Sequence, residues 1–187
     1  NSALAIAREL KDSGLVINML NNTGIVYQYL GQFDKQLEYT LQALEIIEKT
    51  NRKEKLVAMY HNVANAYYNL NQYRRSADYC LSAIQLHQQS GSNAYINRIY
   101  ATLGQSYASL KMTDSALFYY QRAAKESVAR NDIYAEAAIY GYMVNSFADR
   151  GEYKAMLKAA EKSLGLSKTL QSNQLLASSL YNIAYAA

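Results

Sequence analysis

The chain has no proline and no tryptophan, and only one cysteine and two histidines among its 187 residues. Without proline nothing forces a kink into a helix interior, so the chain can be almost wholly helical. Cys80 cannot form an internal disulfide or a CxxC pair; it falls in an apolar helical column, where a buried structural thiol is expected. His61 and His87 cannot supply an HExxH zinc site, and no glycine-rich phosphate loop is present. No stretch reaches the ~18 uninterrupted apolar residues of a membrane span, and no charged-then-apolar leader opens the chain. These absences remove the parts of the common enzyme classes. No catalytic residue, metal site or cofactor is expected, and no membrane contact by this segment.

What the chain has in quantity is tyrosine, 19 residues of it, on an otherwise ordinary background of 50% hydrophobic and 18% charged residues. Such a composition argues against disorder and for apolar columns filled by phenol rings. The formal charge of +4 comes from scattered side chains, with Lys49, Arg52, Lys53 and Lys55 the one cluster. Glu54 interrupts that cluster, which reads as a solvated turn, since nucleic-acid binders concentrate charge along one face. Carboxylate pairs such as Glu45 with Glu48 and Asp132 with Glu136 have helical neighbour spacing and read as solvated faces.

The chain repeats every 40 residues without insertion. One aromatic column runs Tyr27, Tyr67, Tyr107, Phe147; a second runs Tyr39, Tyr79, Tyr119 and lapses to Ala159. A small column runs Ala43, Ala83, Ala123, Ser163, and a leucine column Leu30, Leu70, Leu110 lapses to Arg150. A fixed period of this size means stacked supersecondary units, none of which can bury its apolar face alone.

Within each unit the apolar spacing is helical. Leu20, Thr23, Gly24, Tyr27 and Leu30 share one stripe, as do their counterparts at Tyr60 to Leu70 and Tyr100 to Leu110. Breaks follow at Gly31, Asn71, Lys111 and Gly151; glycine and asparagine tolerate the left-handed conformation that ends helices, and Lys111 is the exception. Second helices then carry Leu37, Thr40, Ala43 and Leu44 and their counterparts through Leu157, Ala160, Ser163 and Leu164. Gly24, Ala64 and Gly104 on the first helices face Ala43, Ala83 and Ala123 on the second, allowing close approach. Turns between units centre on Asn51, Gly91, Asn131 and Gln171.

The expected organisation is therefore one array: residues 1–12 as the second helix of a preceding repeat, repeats at 13–52, 53–92, 93–132 and 133–172, and a first helix over 173–187. That makes ten helices and no strand. Both ends fall within a unit, as expected for a segment of a longer protein.

The pattern Tyr60-x-x-Val63-Ala64-x-x-Tyr67-x-x-Leu70, followed by Tyr79-x-x-x-Ala83, resembles the tetratricopeptide repeat. The signature tryptophan is replaced by Leu20, Tyr60, Tyr100, Tyr140 and Leu180, and the terminal proline is missing. The resemblance implies an all-α, right-handed solenoid of antiparallel helix pairs whose first helices line a concave groove. The long Tyr- and Asn-rich repeats are similar to those of bacterial sensor and regulator proteins.

By that resemblance the groove carries Asn18, Asn21, Ile25, Gln28 and Tyr29; Ala58, His61, Asn65, Tyr68 and Asn69; Arg98, Ala101, Gln105, Ala108 and Ser109; and Ala138, Gly141, Asn145, Ala148 and Asp149. Amides can pair with an extended peptide backbone whatever its sequence, and Tyr29 and Tyr68 offer apolar faces. The groove residues expected to bind are Asn18, Asn21, Gln28, Tyr29, His61, Asn65, Tyr68, Asn69, Arg98, Gln105 and Asn145. The family's Lys, Asn and Arg carboxylate clamp is not matched beyond His61 with Asn65, because Thr102, Ala138 and Tyr142 occupy the remaining positions. The expected function is a non-catalytic scaffold that binds a peptide or protein segment and adjoining domains of a larger signalling protein. A nucleic-acid-binding helical repeat is the alternative, with exposed tyrosines stacking on bases. The compartment is open: cytoplasmic, or extracytoplasmic for a sensor ectodomain.

Overall fold

The computed structural model describes residues 12–90 and 95–186. Among the described residues there are nine α-helices and no strand: α1 (Ser13–Tyr29), α2 (Phe33–Lys49), α3 (Leu56–Asn69), α4 (Tyr73–Ser90), α5 (Ile96–Ser109), α6 (Thr113–Ala129), α7 (Ile133–Asp149), α8 (Tyr153–Thr169) and α9 (Asn173–Ala186). A single 3-10 turn, Lys53–Lys55, precedes α3. The tenth helix expected, over 1–12, lies outside the described residues except for Asp12, whose carboxylate caps α1 by accepting from the Gly14 and Leu15 amides. The turn expected at Gly91 also lies outside them. The chain divides into two compact units, 1–94 and 95–187.

The helix ends obey a strict spacing. Gly31, Asn51, Asn71, Lys111, Asn131, Gly151 and Gln171 all have positive φ, between 51° and 71°. At Gly31 the amide donates to the Gln28 carbonyl and the next amide, Gln32, to that of Tyr27; Asn51, Asn71, Lys111, Asn131 and Gly151 repeat that pair of bonds. This double bond satisfies the orphan carbonyls at a helix end. Lys111 adopts the left-handed conformation at φ 60° although a side chain there is costly. The register overrides the residue preference.

In unit one, Val16, Ile17 and Leu20 of α1 pack with Ala43, Leu44 and Ile47 of α2 and with Met59, Val63 and Tyr67 of α3. The two small columns are buried in every copy, Gly24, Ala64, Gly104 and Val144 on the first helices and Ala43, Ala83, Ala123 and Ser163 on the second. Gly104 shows why. A Cβ there would lie 2.6 Å from the Tyr120 ring, itself only 2% exposed, whereas a Cβ on Gly24 would meet nothing closer than 3.4 Å. The leucine column does not belong to the buried stripe as expected: Leu30, Leu70 and Leu110 are helix C-caps, and Leu30 is 62% exposed, because the chain leaves the helix axis there. Leu157 is likewise exposed, unlike its buried counterparts Ala77 and Leu117.

The tyrosines close each pair. Tyr39 stacks on Tyr27 with ring centroids 5.3 Å apart, Tyr79 on Tyr67 at 5.5 Å, and Tyr119 on Tyr107 at 5.6 Å. Offset stacks of this kind add to simple area burial. Truncating Tyr67 or Tyr107 to alanine is expected to cost about 3–5 kcal/mol. Gly104→Ala is expected to cost about 1–3 kcal/mol through overpacking, with Gly24→Ala well tolerated; thermal denaturation of the four variants checks the ordering.

Packing also sets a pH limit. Burial, chiefly, raises the Tyr60, Tyr79 and Tyr119 phenols above their ordinary 10.0, with further increments from Glu48 at Tyr60, from Tyr67, Glu48 and Tyr60 at Tyr79, and from Tyr107 and Tyr100 at Tyr119. The folded state thus holds these protons more tightly than the unfolded chain, so the contribution is fully present below pH 10.0 and is lost as pH rises through the elevated values. Denaturant titrations between about pH 9 and pH 11 are expected to show stability falling on the alkaline side. A Tyr79→Phe, Tyr119→Phe variant should lose less over that interval.

Candidate functional site

The first helices present the amides and phenols expected of them, and within unit one many are already engaged with each other. Asn62 of α3 donates to the Asn21 carbonyl oxygen of α1 at 2.7 Å, and Lys55 Nζ to that of Asn18 at 3.2 Å. The Asn65 amide is 3.3 Å from His61 Nε2. Asn69 donates at 3.0 Å to Gln36 of α2, a side chain only 3% exposed, so Asn69 also braces the helix pair. The Tyr68 ring lies 5.4 Å from that of Tyr73. Gln28 is exposed and Tyr29 is 87% exposed at the end of α1. Asn62 is absent from the residues expected by sequence, although it stands one position beyond His61 and so at the edge of the same face.

In unit two the Arg98 guanidinium is 3.7 Å from Asp132 and 5.0 Å from the Tyr95 ring centroid, and Gln105 is half-buried. Asn145 stands at an open cavity of about 620 Å³ between α7 and α9. Ala138, Gly141 and Asn145 on the α7 side are residues the sequence assigns to the groove; Tyr134 and Tyr142 join them as aromatic walls. The α9 side supplies Gln174, Ser178, Tyr181 and Asn182. Sequence reasoning stopped the groove before α9. Its signal was available: Ser178 and Tyr181 continue, at the next interval of 40, the columns of Asn18 and Asn21.

The cavity floor is polar where other repeats are apolar. Ser163, which replaces alanine in the small column, donates to the Ala137 carbonyl at 2.9 Å and lies 2.9 Å from the Ser179 hydroxyl, which in turn is 3.0 Å from that of Ser167. Gly141 leaves room for Asn182, whose amide nitrogen would sit 3.4 Å from a Cβ at that position. Asn182 is 9% exposed and has no hydrogen bond to a described residue. None of the residues lining the cavity is charged.

Charges elsewhere serve the fold. Of the basic cluster, Lys49 pairs with Glu45, Arg52 donates to the Ser13 hydroxyl at 3.2 Å, and Lys55 holds Asn18. Asp132 and Glu136 are not a solvated pair as expected: Asp132 caps α7 by accepting from the Ala135 amide, and Glu136, 7% exposed, meets Lys162 at 3.4 Å. Burial raises the Cys80 thiol, leaving it a packing group. Among the described residues no group of three His, Cys, Asp or Glu side chains could hold a metal ion, and no helix is long and apolar enough to cross a membrane.

Residues 57–89 and 98–127 match the tetratricopeptide repeat model. These two stretches lie in the second and third repeats, and the helix pairs of the described residues have the same kind of fold. BtubC (BKLC) from P. vanneervenii is similar in structure with a TM-score of 0.85 at 16% identity, over 99% of this chain and 79% of that one. A Rap protein complexed with competence and sporulation factor gives 0.78 at 16% identity, over 98% of this chain and 60% of that one. A signal-transduction ATPase of the STAND class with a tetratricopeptide repeat sensor, from Pyrococcus horikoshii, gives 0.79 at 16% identity, over 94% of this chain and 27% of its own length. No curated protein matches the sequence.

Ser163→Ala removes the bond to the Ala137 carbonyl and one of the two hydroxyl partners of Ser179, while Ser167 keeps its bond to the Ser163 backbone carbonyl, and should cost about 0.5–1.5 kcal/mol despite restoring the repeat's alanine. Chemical denaturation of that variant, beside Ser178→Ala on the exposed wall as a control, measures the difference.

Proposed function

We propose that the chain is a non-catalytic scaffold that binds an extended, largely uncharged polypeptide segment along its first helices, as the sensing or interaction part of a larger regulatory protein. The carrying observation is the α7–α9 cavity, walled by Tyr134, Tyr142 and Tyr181 and lined by no charge. Phenol walls accept apolar side chains, while Asn145, Gln174 and the deep Asn182 amide offer donors and acceptors to a peptide main chain. Asn182 lies deepest of these amides and faces Gly141. The Rap protein with its bound factor and the STAND sensor support a regulatory setting for folds of this shape. Lys49, Arg52 and Lys55 of the basic cluster already engage Glu45, Ser13 and Asn18, which favours this reading over a phosphate-binding surface.

An array of uncharged extended peptides, screened beside single-stranded nucleic acid at low and high salt, tests the reading. Peptide binding is expected to depend weakly on salt and to be lost in a Tyr134→Ala, Asn145→Ala, Tyr181→Ala variant whose thermal midpoint is close to that of the parent, because all three side chains are exposed. In unit one the Asn65→Ala, Tyr68→Ala, Asn69→Ala variant tests the first-helix face of that unit by itself and is expected to weaken peptide binding there. Nucleic-acid binding that falls steeply with salt, and that disappears with Lys49, Arg52, Lys53 and Lys55 rather than with the cavity residues, would contradict the proposal.

A further inference from the structure

Three helix pairs close the cleft between their two helices with a tyrosine from the second helix, and the fourth does not. In the first two, a cation from the first turn of the second helix covers the same receiving ring: Lys35 Nζ lies 5.0 Å from the Tyr27 centroid, and Arg75 lies 5.6 Å from that of Tyr67. At the next intervals of 40 the cation position becomes Ser115 and then Ala155, and the tyrosine position, after Tyr119, becomes Ala159. The fourth pair keeps its receiving side, Tyr140 and Phe147, and has alanine in place of both covering groups. The result is a slot of about 430 Å³ between α7 and α8, lined by Tyr140, Met143, Phe147, Ala155 and Ala159 together with Lys158 and Lys162.

Two lysines arrive where the tyrosine departs. The counterparts of Lys158 are Glu38, Asp78 and Phe118, and those of Lys162 are Gln42, Ser82 and Arg122, so only the fourth pair has a lysine at both. Lys162 is 3.4 Å from Glu136 and 6.0 Å from the Tyr140 centroid. Lys158 is exposed and has no carboxylate within ion-pair distance among the described residues. The slot shares no lining residue with the α7–α9 cavity.

We propose that this slot docks a single aromatic side chain, tyrosine or phenylalanine, from a partner polypeptide in which acidic residues flank the ring. The chain supplies its own template: in the sister pairs the group that fills the equivalent cleft is a tyrosine side chain carried on a polypeptide, stacked on the ring of the first helix at 5.3 to 5.6 Å. Phe147 and Tyr140 offer the same stacking surface to a ring from outside. Lys158, and Lys162 in part, select for negative charge beside that ring, by charge complementarity with the partner rather than with the arene. This site is independent of the first-helix groove.

The test follows the five methionine methyls by NMR, using the buried Met143 as the reporter inside the slot. The probes are a blocked tripeptide of tyrosine between two glutamates, the same tripeptide with alanine at its centre, a version with lysines in place of glutamates, and free hydroxyphenylpropionate. The Glu-Tyr-Glu probe is expected to shift Met143 saturably and to leave Met19 and Met59 unmoved. The alanine probe should give no shift and the lysine probe a weaker one. Ala159→Tyr, which rebuilds the missing ring, is expected to raise the thermal midpoint and abolish the shift. Lys158→Glu, on an exposed side chain that leaves folding intact, should weaken binding severalfold. An unmoved Met143, equal shifts with the alanine or lysine probes, or undiminished binding in Lys158→Glu would overturn the proposal. A response to hydroxyphenylpropionate without one to the tripeptide would overturn the polypeptide source.

Discussion

Each of the first three helix pairs turns on a phenol ring from the second helix lying flat against a phenol ring from the first, with small residues opposite at the crossing point. Those stacks, Tyr27 with Tyr39, Tyr67 with Tyr79 and Tyr107 with Tyr119, are spaced by the 40-residue period and fix the depth to which the two helices of a pair can approach. Gly104 under the Tyr120 ring shows the tightest version of the same constraint. The left-handed caps at intervals of twenty residues then dictate the helix lengths, even where the cap is a lysine. A chain without tryptophan builds this core from tyrosine, so its packing stays tied to the protonation of phenols that burial has made harder to ionise.

Much of this was legible in the sequence because a repeat states each structural requirement several times. Asn71 or Gly31 alone is a weak helix stop; at a fixed spacing with Lys111 and Gly151 they become a register, and that register predicted a helix break at Lys111, where the backbone proves left-handed in spite of the side chain. The small columns were legible for the same reason. The leucine column was not: periodicity places Leu30 on the stripe of Tyr27, but the stripe ends with the helix, and Leu30 sits on the exposed cap. Spacing gives the angular position of a residue, not whether a neighbour exists to cover it. The same limit hid Glu136, which pairs across to Lys162 on the next helix, and the α9 wall of the cavity, which depends on a partial repeat completing a site begun by α7.

The two cavities of unit two lie at departures from the repeat. The α7–α9 cavity exists where Ser163 and Gly141 replace bulkier or apolar packing and leave room for Asn182; the α7–α8 slot exists where Ala155 and Ala159 replace the two groups that close the sister clefts. Both belong to the last complete pair. In unit one part of the polar surface is engaged in internal bonds such as Asn62 to Asn21 and Asn69 to Gln36.

The dependence of the pairs on their phenol stacks is the claim on which this account stands. A double-mutant cycle on Tyr107 and Tyr119, with each ring replaced by leucine singly and together, measures it directly by chemical denaturation. The account predicts that the double replacement costs about 0.5–1.5 kcal/mol less than the sum of the two single effects, the signature of a favourable coupling between the rings. Additive losses, with no coupling between the two rings, would show that the tyrosines act only as separate apolar fillers and would contradict it.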